Sequence, residues 1–124
     1  MSPDSIVVGL EQAKILKEAD FPQNMCFQWF NEHDPFKGEN KWILEDGPCN
    51  GDTRGVAAPT ASEILDRLPH MIDGGDGWMA LLRVMPNENE WQVFYDPVAG
   101  EKGDTLANAA AAMYVFLSEN NLLP

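Results

Sequence analysis

Near the C-terminus, Leu106, Ala109, Ala110, Met113, Phe116 and Leu117 recur at the spacing of one helical face, and this segment constrains the fold more than any other. Asp104 is the expected N-cap. The run Ala109 to Ala112 is suited to close approach, because alanine holds its backbone helical at no side-chain entropy cost and adds little bulk. A helix with that face must lie on a sheet or on other helices, so the segment is the expected spine of a packed core.

The remainder supplies partners for it. Leu10 to Ala19 reads as a short helix with Leu10, Ala13, Leu16 or Ile15, and Ala19 inward, stopped by Asp20-Phe21-Pro22. Asp20 suits the left-handed conformation expected just past a helix end. Met25 to Phe30 and Lys41 to Leu44 have strand composition and are joined by the turn-rich connector Asn31 to Asn40. Thr60-Ala61-Ser62-Glu63 fits a capping box, which predicts a helix beginning at Ala61 and cut off by Pro69. Trp78 to Met85 and Glu90 to Tyr95 read as two more strands, linked by Pro86 to Asn89. With one charge, Arg83, the segment Trp78 to Met85 is expected to be a central strand buried on both faces. Asp96 to Gly103 reads as a turn.

These elements predict an α+β fold in the order α-β-β-α-β-β-α, with one four-stranded, mainly antiparallel sheet packed against helices. A chain of 124 residues is the size of one domain, and can bury roughly two thirds of its unfolded surface. Residues 1–124 are therefore expected to form a single domain. Trp29, Trp42, Trp78 and Trp91 sit in apolar runs and are expected inside, which argues against disorder.

Over this pattern lies an excess of carboxylates, 20 Asp and Glu against 8 Lys and Arg, for a formal charge of -12. Such a surface repels phosphate backbones and anionic membranes and attracts cationic faces. Direct nucleic-acid binding is disfavoured, since the basic residues are scattered. No stretch approaches the apolar length of a membrane span, and Met1 to Leu10 lacks a basic leader. The expected location is the cytoplasm, with Cys26 and Cys49 reduced, although their placement around a strand pair leaves a bridge open.

Candidate chemistry is weak. Cys26, His33, Cys49 and His70 lack the closely spaced pairs of structural zinc sites, and Cys26 reads better as a core thiol. Asp46, Asn50 and Asp52, or Asp73 and Asp76, do not follow a calcium-loop pattern and are explained by turn chemistry. A Cys49–His70 nucleophile pair has no supporting motif. No catalytic residue, metal or cofactor is expected. The acids form two local excesses instead. Residues 31–52 carry Glu32, Asp34, Glu39, Glu45, Asp46 and Asp52 against Lys37 and Lys41, a balance of -4. Residues 84–104 carry Glu88, Glu90, Asp96, Glu101 and Asp104 against Lys102, also -4.

Three segments together carry a resemblance. Leu10-Glu11-Gln12-Ala13-Lys14-Ile15-Leu16-Lys17-Glu18-Ala19-Asp20-Phe21-Pro22-Gln23, Ala58-Pro59-Thr60-Ala61-Ser62-Glu63-Ile64-Leu65-Asp66-Arg67-Leu68-Pro69 and Gly103-Asp104-Thr105-Leu106-Ala107-Asn108-Ala109 are similar to small uncharacterised bacteriophage and prophage proteins. In that class a leading helix, an Ala-Pro-Thr helix start and an alanine- and leucine-rich final helix recur in this order, with Gly usual where Asp20 stands. The resemblance implies a phage or prophage protein in a bacterial host cell and assigns no functional residue. The expected function is non-enzymatic binding of a host or phage protein with a basic face through Glu32, Asp34, Glu39, Glu45, Asp46, Asp52, Glu88 and Glu90. Alternatives are an anti-defence inhibitor imitating nucleic acid, a small metal-dependent or cysteine hydrolase using Cys49, His70 and the loop acids, and a homo-oligomeric structural component.

Overall fold

The structure, a computed structural model, describes residues 6–32, 36–47, 55–74, 79–96 and 98–123. His33, Asp34, Cys49, Asn50, Asp52, Asp76 and Trp78, which enter the readings above, lie outside the described residues. In chain order the elements are α1 (Leu10–Glu18), β1 (Phe27–Asn31), β2 (Trp42–Asp46), β3 (Gly55–Ala57), α2 (Ala61–Leu65), β4 (Met71–Asp73), β5 (Met79–Asn87), β6 (Glu90–Tyr95), β7 (Ala99–Gly103) and α3 (Leu106–Glu119). The fold is α+β, with three helices and a four-stranded antiparallel sheet among the described residues.

That sheet is assembled differently from the expectation. Its order is β4-β5-β6-β7, while the first hairpin, β1 and β2, joins β3 in a separate three-stranded sheet ordered β2-β1-β3. The strands β3, β4 and β7 were not anticipated. Two of them are three residues long, too short to display a period, and β7 has the sequence Ala-Gly-Glu-Lys-Gly, which carries turn residues rather than strand formers. Each is held by its neighbour: β3 by β1, β4 by β5 and β7 by β6.

Helix ends follow local chemistry. At α2 the Thr60 hydroxyl accepts from the Glu63 N–H at 3.2 Å and the Glu63 carboxylate accepts from the Thr60 N–H at 2.9 Å, the reciprocal box read from the sequence. Helix α1 ends with Asp20 at φ +63°, the Phe21 N–H donating to the Leu16 carbonyl and the Asp20 N–H to that of Lys17. Helix α3 ends the same way, with Asn121 at φ +56° and the Leu122 N–H donating to the Leu117 carbonyl. Both are Schellman ends, in which a short polar side chain tolerates the left-handed position. The N-cap of α3 is Thr105, whose hydroxyl accepts from the Asn108 N–H at 3.1 Å; Asp104, the expected cap, instead accepts from the Asn108 side chain at 2.7 Å.

Helix α3 packs against α1, α2, β6 and β7. Ala107, Ala109, Ala110, Ala111, Met113, Tyr114 and Leu117 are buried along it, and they join Leu16, Val56, Ile64, Ile72, Ala80, Val93 and Tyr95 in one cluster that draws on both sheets. The helix approaches β7 so closely that a Cβ on Gly103 would lie 2.9 Å from the carbonyl carbon of Asn108 and closer still to the Ala109 nitrogen. Phe21 meets Tyr114 edge to face at 4.9 Å. Trp29, Trp42 and Trp91 are half-buried at the margin of the cluster rather than inside it. The Trp29 indole donates to the Val8 carbonyl, keeping its polar edge at the boundary.

Candidate functional site

The β4–β6 part of the larger sheet has two unlike faces, because side chains alternate along each strand. On the inner face Ile72 pairs with Ala80, Leu82 with Tyr95 and Val84 with Val93. Ile72, Ala80, Val93 and Tyr95 are buried there, and the Tyr95 hydroxyl donates to the Pro69 carbonyl at 2.6 Å. Removal from water raises the Tyr95 phenol to a pKa of about 12, since burial disfavours the phenolate.

The outer face is apolar and open. Met71 pairs with Leu81, and Met79, Leu81, Arg83 and Met85 follow one another along β5. Met71 is 48% exposed, Met79 51%, Leu81 52% and Met85 48%, so no element among the described residues covers them. Half-buried Phe94, the partner of Arg83, extends this face onto β6. The expectation that this strand is buried on both faces is therefore wrong. Low charge misled it: α3 packs on β6 and β7, so along the inner face of β5 Ala80 is buried, Leu82 half-buried and Val84 exposed, while no element among the described residues lies over the outer face. The signal that could have found the site is the alternation of Met79, Leu81 and Met85 with Ala80 and Leu82. Alternation marks two distinct environments even when both are apolar.

Acidic residues bracket this face. Asp73 on β4 is exposed beside Met79, its register partner. At the far end, exposed Glu88 stands on the hairpin turn, and half-buried Glu90 is 3.7 Å from the Lys102 ammonium. The other expected acids lie on the smaller sheet. Glu32 is exposed just past β1, Glu39 is exposed in the connector, and Glu45 and Asp46 are exposed on β2. Asp34 and Asp52 fall outside the described residues. The two acidic groups are thus carried by hairpins of different sheets.

Other sequence candidates are dispersed. Cys26 is exposed rather than a core thiol, because the strand begins one residue later. Its N–H donates to the Glu63 carboxylate at 3.3 Å, and its carbonyl accepts from the Gly47 N–H at 2.7 Å. His70 is exposed, and its carbonyl accepts from the Leu82 N–H at 2.8 Å. Among the described residues no group of three or more His, Cys, Asp and Glu is placed to hold a metal ion. A recess of about 330 Å³ lies between Ile6, Ala61, Trp91 and the start of α3, with Asp104 among its described lining residues. Among the described residues no helix is long and apolar enough to cross a membrane. The chain matches no family model, no curated protein and no solved structure.

Proposed function

We propose that this protein is a non-catalytic binding protein of phage or prophage type that recognises, in the bacterial cytoplasm, a protein partner with a basic face. The observation that carries the reading is a formal charge of -12 displayed in part on two exposed hairpins, at Glu39, Glu45 and Asp46 on one and at Glu88 on the other. A field of that sign speeds encounter with cationic surfaces and disfavours nucleic acid, and it acts without any residue having to titrate. The resemblance of the helix termini to phage proteins supports the biological setting. Imitation of a nucleic-acid backbone is the less favoured reading, because it calls for one ridge of carboxylates and these acids belong to two sheets.

Salt dependence tests the proposal. Binding of a lysine- and arginine-rich polypeptide should weaken at least about tenfold between roughly 50 and 500 mM salt, as screening shortens the reach of each charge. Replacing Glu39, Glu45 and Asp46 by their amides, and separately Glu88 and Glu90, should identify the hairpin that faces the partner. Association indifferent to both salt and these changes would refute the proposal.

A further inference from the structure

We propose that the outer face of the larger sheet, built on Met71, Met79, Leu81 and Met85, docks the apolar stripe of a cationic amphipathic helix. The inference rests on the reading that the partner is basic and adds where, and in what form, it binds. Apolar side chains at about half exposure along two adjacent strands form a patch on the order of a few hundred Å², the scale of the largest apolar patch on a typical monomer, which is often a functional surface. Three of the four are methionines, whose unbranched, polarisable side chains adapt to differently shaped partners.

Charge complementarity selects the occupant. The apolar row from Met79 to Met85 spans roughly 20 Å at the strand rise. A helix covers that distance in about 13 residues. Asp73 flanks one end of the row and exposed Glu88 the other, where Glu90 is already paired with Lys102 at 3.7 Å. A matching helix therefore has an apolar middle of three to four turns and Lys or Arg beyond both ends. Arg83, within the row, is exposed, and an arginine there can lay its aliphatic stem along apolar surface while keeping its charge in water. A second copy of this chain fits poorly, because it would bring acids against acids at both ends and add its own charge of -12.

Backbone chemistry favours a helix laid on the face over a strand added to the edge. The Leu82 N–H donates to His70, so the even-numbered residues of β5 direct their N–H groups to the β4 side. Among the described residues β4 pairs with Met79 to Leu81, and the next positions on that side beyond Leu82 are Val84 and Pro86. Pro86 has no N–H to donate, which blunts the edge against an incoming strand.

The test uses two 18-residue synthetic peptides of identical composition with lysines at both ends. In one, leucines at i, i+3, i+4 and i+7 form a stripe; in the other they are scattered. The full-length protein should bind the striped peptide at least about tenfold more tightly, a margin of about 1.4 kcal/mol. Leu81→Ser with Met85→Ser should remove that margin and leave the scattered peptide's affinity unchanged. Met71→Gln with Met79→Gln should do the same, so the outcome does not hang on one variant's folding. Equal affinity for the two peptides overturns the docking face and leaves the basic-partner reading standing. Failure of both peptides to bind at low salt overturns both. A dimer in sedimentation equilibrium that Leu81→Ser dissolves overturns the proposal in favour of a second copy.

Discussion

Replacing Gly103 by alanine tests the packing on which the sheet's orientation depends. The new methyl would sit 2.9 Å from the carbonyl carbon of Asn108 and 3.0 Å from the Ala109 Cα, inside van der Waals contact with helix backbone rather than with a side chain that could rotate away. Overpacking costs typically 1–3 kcal/mol, and a rigid obstacle places this case near the top, at about 3 kcal/mol. Alanine also restricts the unfolded chain, which returns about 0.4–1 kcal/mol and leaves a net loss of about 2 kcal/mol. Gly100, on the same strand, supplies the control: a Cβ there meets Phe94 at 3.7 Å and Gln92 at 3.8 Å, ordinary contact distances. Gly100→Ala should be neutral or stabilising by up to about 1 kcal/mol. Urea denaturation followed by tryptophan fluorescence should therefore separate the two variants by about 2–3 kcal/mol at an unchanged slope, with Gly103→Ala melting roughly 10 °C lower than wild type. If both variants fall within about 0.5 kcal/mol of wild type, α3 does not lie against β7 as described, and the argument that it covers only the inner face of the sheet fails.

Three further outcomes are expected. Thr60→Ala removes the hydroxyl that accepts from the Glu63 N–H and should cost about 1 kcal/mol in urea denaturation; no loss would mean that the box contributes nothing to folding. Asp20→Gly relieves a side chain held at φ +63° and should raise stability by about 0.5–1 kcal/mol, whereas Asp20→Ala should lower it; equal effects would contradict the left-handed geometry. Tyr95 ionises at about 12 in the folded protein against an ordinary 10, so the folded state holds the proton more tightly than the unfolded one. Its contribution to stability is complete below pH 10 and is lost as pH rises from 10 towards 12. Ultraviolet titration should show that stage coinciding with alkaline unfolding in wild type, and Tyr95→Phe should flatten the stability profile there; an unchanged profile would exclude Tyr95 as its source.

What was legible in the sequence is what depends on neighbours a few residues apart. The capping box at Thr60 and Glu63, the left-handed Asp20 and the β5–β6 hairpin arise from contacts within one turn or one hairpin, so residue types and spacing were enough. The helix α3 was legible too, but its buried face only in part: Ala109, Ala110, Met113 and Leu117 are buried as expected, Leu106 and Phe116 are half-buried, and Ala107, Ala111 and Tyr114 are buried because elements pack on more than one side of the helix. Thr105 in place of Asp104 as the cap of α3 is a one-residue shift between two competent acceptors, which local preference cannot separate. Tertiary structure alone decided that β3, β4 and β7 are strands, because three residues of Gly-Val-Ala or Met-Ile-Asp gain their ladder only from a partner distant in sequence. It also decided that the strands divide between two sheets, and that no element among the described residues covers the Met79–Met85 row. A strand's composition sets that it can bury both faces. Whether anything arrives to cover the second face depends on where the helices pack, and α3 lies on the other side, drawn against β7 by its alanines and by the missing side chain of Gly103.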